Sequence, residues 1–233
     1  MYGDNIGQEN EEVYRSLSEK YDDLGKKMQT LCIIIIATIV MSVLAFLGGI
    51  IAAATDYYSG SNSIGVLAIV VGIISIGIAV AYGITIIGMG TYDEELKTAG
   101  ILYICSSVCT NINDMFFDDT WIGFILKLTS AILSVIYILK FATSMENLSF
   151  NADSGVSDSW AKFKKAYVIV IVGTIISIFC MIIPLLGILA ALAAIVFVIA
   201  MIVIYIWQIV LMFKTAGVMK GYNKGSKFNK FFE

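Results

Sequence analysis

Eight residues between 103 and 137 carry side chains able to bind or pass on a polar solute, and they sit within long apolar runs. Tyr103, Ser107, Thr110 and Asp114 recur at spacings of four, three and four. At about 100° per residue they form one stripe on a helix, flanked by Ser106 and Asn111. Ile101, Cys105, Val108 and Ile112 face the other way. Lys127, Ser130, Ser134 and Tyr137 share one side of the next run. Hydroxyls, a carboxylate and an ammonium placed this way offer a polar path to a solute or ion. They equally let two helices hold each other where no water competes.

Lys127 is the sharpest of the eight. A lysine in mid-membrane costs roughly 2.5–3.5 kcal/mol on insertion scales. It stands six residues beyond Trp121, about 9 Å by helix rise. Its stem can cover much of that distance to the headgroups, with Asp114, Asp118 or Asp119 as counter-charge. The other reading is a binding or gating charge in a polar cavity. Lys140, near the opposite end of the same run, reads as an interface anchor. The turn 113–119 holds oxygen ligands that suit a hard cation, but it lacks the spacing of a calcium loop and reads as an acidic interface loop.

Other chemistry has little to stand on. The chain has no histidine, which removes the commonest catalytic base and zinc ligand. Its four cysteines, Cys32, Cys105, Cys109 and Cys180, all lie within apolar runs, so they read as small packing residues rather than a disulfide framework. No phosphate-binding glycine loop follows a strand. The expectation is therefore a protein that is not an enzyme, with no catalytic residue, no cofactor and no metal.

The elements that carry these residues follow from hydropathy. Of 233 residues, 59% are hydrophobic and 14% charged, against about 45–50% and 25% in a soluble domain. The excess falls in blocks at 31–54, 64–89 and 167–213. A crossing needs roughly 20 apolar residues, so the last block is long enough for two, with Pro184 and Gly187 marking a turn. The expected fold is an all-α polytopic membrane helical bundle. It has six transmembrane helices in three hairpins, at about 28–54, 64–90, 98–117, 121–144, 166–183 and 185–213. The weakest is 98–117, whose polar stripe lowers its hydropathy.

Basic residues orient the bundle. Arg15, Lys20, Lys26, Lys27, Lys97, Lys162, Lys164, Lys165 and the five lysines from 214 onward all fall on one side of six crossings. That makes thirteen of the chain's fifteen basic residues. The other side holds Asp56, Asp118 and Asp119, so both termini are expected to be cytoplasmic in a cell membrane. An odd number of crossings would put the lysine-rich tail outside. Residues 1–27 read as a polar segment with one short amphipathic helix, Val13, Leu17, Tyr21 and Leu24 sharing a face. No cleavable leader is expected there, so the first span acts as the insertion signal. Residues 214–233 read as a basic and aromatic tail suited to the anionic inner leaflet. The short loops point to a bacterial source.

Small residues line several spans: Thr38, Ser42, Ala45 and Gly49 in the first, and Ser75, Ala79 and Gly83 in the second. Such faces let helices approach closely. Gly173, Ser177, Cys180 and Pro184 repeat the first spacing 135 residues later, which raises an internal duplication of the first hairpin in the last. The leading expectation for function is a non-enzymatic membrane partner or assembly subunit. It would meet lipid, and a membrane-protein partner or a second copy, through these faces. Nucleic acid is not expected as a partner. The alternative is a small transporter or channel using the stripes of spans 3 and 4.

Overall fold

The structure, a computed structural model, describes residues 4–59, 63–117, 120–180 and 187–221. Those residues form six α-helices and no strand: α1 Asp4–Ser59, α2 Ser63–Gly88, α3 Glu94–Ile112, α4 Trp121–Phe150, α5 Ser154–Cys180 and α6 Gly187–Gly221. A π-helical turn, Asn113–Phe117, follows α3. The chain divides into two compact units. One comprises the chain to Met28 with everything from Ala142 on; the other runs from Gln29 to Phe141.

The helices are longer than the apolar runs that announce them. Residues 4–27 and the first span form one helix, α1, with no break between them. Its polar turns carry the i,i+4 pairs Asp22–Lys26 at 2.6 Å and Asp23–Lys27 at 2.8 Å. The Asp22 hydrogen bond and charge hold the Lys26 ammonium above its ordinary pKa. On the expected inner face, Tyr21 and Leu24 are buried while Leu17 is exposed; the Val13 side chain lies outside the described residues. The segment 145–165, which lies between the fourth and fifth expected spans, is mostly helical too. α4 runs on to Phe150, and Asp153 caps α5 by accepting from Gly155 N at 2.8 Å and Val156 N at 3.2 Å. A carboxylate at a helix start satisfies free N–H groups and suits the helix dipole.

Five of the six helices are long and apolar enough to cross a membrane. Their outer faces show what solvent they suit. Ile33, Ile36, Leu44, Phe46, Ile51, Ile169, Phe179 and Ile188 are all exposed, Phe46 to 69% and Ile188 to 79%. Apolar surface on this scale is untenable in water and costs nothing in lipid. These are the helices of an integral membrane protein. α3 is not among the five: it has 19 residues, opens with Glu94, Glu95 and Lys97, and carries the polar stripe.

Within the first unit, full burial is concentrated at the ends of the apolar runs and beyond them. Leu24, Met28, Met145, Trp160, Phe163, Met212 and Met219 are all 0–1% exposed. Trp160 Nε1 donates to Thr215 Oγ1 at 2.9 Å, and Thr215 Oγ1 donates to Leu211 O at 2.8 Å. Lys164 pairs with Glu146 at 2.7 Å. This end is packed like a small soluble core.

In the second unit α2 and α3 form a tight hairpin. Glycines set the distance: a Cβ on Gly100 would lie 2.7 Å from Gly83 O, and one on Gly83 would strike Ile104. The turn between them closes through Gly90 N to Ile87 O at 2.9 Å and Tyr92 N to Met89 O at 3.0 Å. Asp93 then caps α3, accepting from Glu95 N at 2.9 Å.

Candidate functional site

α3 turns toward α4 not Ser107 of the expected stripe but Ser106, which the sequence places only on its flank. Ser106 is 4% exposed and Ser130 6%. Ser106 Oγ lies 3.0 Å from Ser130 O, 3.1 Å from Ser130 Oγ and 2.6 Å from Ser134 Oγ. Ser130 Oγ lies 3.1 Å from Ser106 O. Thr110 Oγ1 approaches Ser130 Oγ at 2.5 Å and Ser106 O at 3.1 Å. One placement of protons serves all four hydroxyls. Thr110 donates to Ser130 Oγ, Ser130 to Ser106 O, Ser106 to Ser130 O, and Ser134 to Ser106 Oγ.

A second cluster follows along the same helices. The Tyr103 ring lies 4.6 Å from that of Tyr82 and 5.0 Å from that of Tyr137. Tyr82 and Tyr137 share a hydroxyl–hydroxyl hydrogen bond of 3.1 Å, and both are buried. Lys140, expected as an interface anchor, meets Glu95 at 2.6 Å, with both side chains partly exposed.

Of the eight candidate residues, Thr110, Ser130 and Ser134 thus join one network, and Tyr103 and Tyr137 the other. Ser107 is half-buried and bonded to Tyr103, and its carbonyl accepts from Asn111 Nδ2 at 2.8 Å. Two stand apart. Asp114 is exposed and accepts from Asn113 Nδ2 at 3.0 Å. Lys127 is exposed. Asp118 and Asp119 lie outside the described residues. Gly123, at the start of α4, has room for no side chain, because a Cβ there would meet Phe117 O and Asn113 Oδ1.

The small-residue faces of α1 and α2 form a separate feature. Thr38, Ser42 and Ala45 face Val71, Ser75 and Ala79 across a cleft of about 300 Å³, with Tyr103 among its lining residues. The hydroxyls of Thr38 and Ser42 donate along their own helix, to Ile34 O at 2.8 Å and Thr38 O at 2.9 Å. At the matching position of the proposed repeat, Gly173, the space is filled: a Cβ there would collide with the Phe197 ring.

The clusters hold hydroxyls and tyrosine rings, with no general base beside a nucleophile. Their chemistry is that of hydrogen-bonded helix contacts. Tyr82 and Glu95 are the partners that sequence reasoning missed, and Ser106 it placed only on the flank of the stripe. Comparison with protein-family models, with curated proteins and with solved structures finds no match.

Proposed function

We propose that this is a non-catalytic subunit of the cell membrane, a partner or assembly component. Its chain crosses six times in three hairpins, with both termini cytoplasmic. The observation that carries this reading is the closure of the α3–α4 stripe on itself. A path for an ion or solute needs polar groups turned toward a gap. Here each of the Ser106, Thr110, Ser130 and Ser134 hydroxyls has another of the four within 2.5–3.1 Å. A partner or a second copy would dock through small-residue helix faces such as those of α1 and α2. Orientation rests on the thirteen basic residues, and the crossing of α3 on the even count they require.

The test sets this reading against transport. Single cysteines replace Thr110 or Ser134 in a chain whose four native cysteines are changed to alanine, and intact membranes are treated with a water-borne thiol reagent. The subunit reading predicts that neither site reacts, and that the protein migrates on native gels as a discrete particle larger than its own 25.4 kDa chain. Rapid labelling at both sites would place water in the seam and favour a transporter or channel. Migration as a lone chain would remove the partner.

A further inference from the structure

We propose that the cleft between α1 and α2 binds one hydrocarbon chain of a membrane lipid, entering sideways from the bilayer. Depth is the first argument. Thr38 and Ser42 lie ten and fourteen residues past Met28, about 15–20 Å along the helix and near the middle of a hydrocarbon layer about 30 Å thick. Headgroups do not reach that level; chain segments fill it.

Size is the second argument. From Thr38 to Ala45 the cleft runs about 10 Å, so 300 Å³ corresponds to a cross-section of roughly 30 Å². A helix about 10 Å across needs roughly 80 Å². A single chain, whose carbons meet their neighbours at about 4 Å, needs roughly 20 Å².

Wall chemistry is the third. Thr38 and Ser42 have spent their protons on carbonyls of α1, so that wall asks for no polar guest. The α5–α6 pair shows the filled alternative, with Phe197 lying over Gly173. Among the described residues the α1–α2 cleft keeps its volume, with Tyr103 in its wall, and a chain takes that place. This inference needs the membrane reading but is independent of any protein partner.

The test uses the full chain in phosphatidylcholine nanodiscs doped with a lipid bearing a diazirine at its chain end. After irradiation, peptide mass spectrometry maps the adducts. We expect several-fold more adducts at Thr38, Ser42 and Ser75 than at Val40 and Leu44, which sit at the same depth on the opposite face of α1 and, like Thr38 and Ser42, are exposed. Ala79→Phe, which plugs the cleft, should bring them down to the Val40 level. The milder Ala45→Leu should do so in part, and Leu44→Phe should change nothing. Equal labelling of both faces, or labelling that survives both plugs, would overturn the proposal. So would marking of the cleft by a water-soluble carbene source, or a crosslink there between two copies of the chain.

Discussion

Ser106 and Ser130 exchange hydrogen bonds across two helices, each hydroxyl reaching the other's backbone carbonyl, at 3.0 and 3.1 Å. Serine is small enough to let the backbones come that close, and its one proton is used up in doing so. Ser134 and Thr110 then attach to the oxygens of this pair. A stripe that reads in one dimension as a polar path becomes in three dimensions a fastener.

Removing members of the fastener should cost little singly and show coupling in pairs. Ser106→Ala and Ser134→Ala should each destabilise by about 0.6–1.7 kcal/mol, the range of interhelical hydrogen bonds in membranes. The double variant should cost less than their sum, because each removes the same bond. Ser107→Ala, outside the serine cluster but bonded to Tyr103, should cost one ordinary hydrogen bond, about 0.5–1.5 kcal/mol. Unfolding in mixed micelles, followed by circular dichroism, gives all four values.

The α2–α3 hairpin should be sensitive at its glycines. Gly100→Ala places a methyl against Gly83 O and Ile87. Overpacking of this kind costs about 1–3 kcal/mol. Gly49→Ala meets nothing within 4 Å and should be neutral or slightly stabilising, since it restricts the unfolded chain. Thermal unfolding of the two variants in one detergent tests the contrast.

At the packed end of the first unit, Thr215→Val should leave Trp160 Nε1 buried without its partner. The expected loss is about 1–3 kcal/mol. Adding Trp160→Phe removes the stranded donor and should restore part of that loss if the ring is the only thing disturbed. A double-mutant cycle measures it. By contrast Lys140→Gln, which breaks the partly exposed pair with Glu95, should cost under about 1 kcal/mol.

Much of this architecture was legible. Blocks of apolar residues longer than a soluble core allows gave four of the membrane-length helices and the run 121–144 a fifth, and with them the membrane setting, because lipid favours a backbone that satisfies itself. The site was legible only to within a neighbour. Ser106 and Ser107 differ by 100° on the wheel, and nothing in α3 alone says which of them α4 will meet. Tyr82 sits in a run whose hydropathy hides it, and its role depends on Tyr103 and Tyr137 from two other helices. In 145–165 two signals overlap. Charged and polar residues suggest a connection, while Val156, Trp160, Phe163 and Tyr167 keep a helical period that becomes the buried face of α5.

The proposed function depends most on α3 passing through the bilayer, since only then does the exposed edge of the seam at Thr110 meet lipid rather than water. The direct measurement is two-sided labelling of Tyr92→Cys and Thr120→Cys, which flank α3, with a thiol reagent that does not cross membranes. The account predicts that Thr120→Cys reacts in intact cells and Tyr92→Cys only after the membrane is opened. Reaction of both from the same side would contradict it.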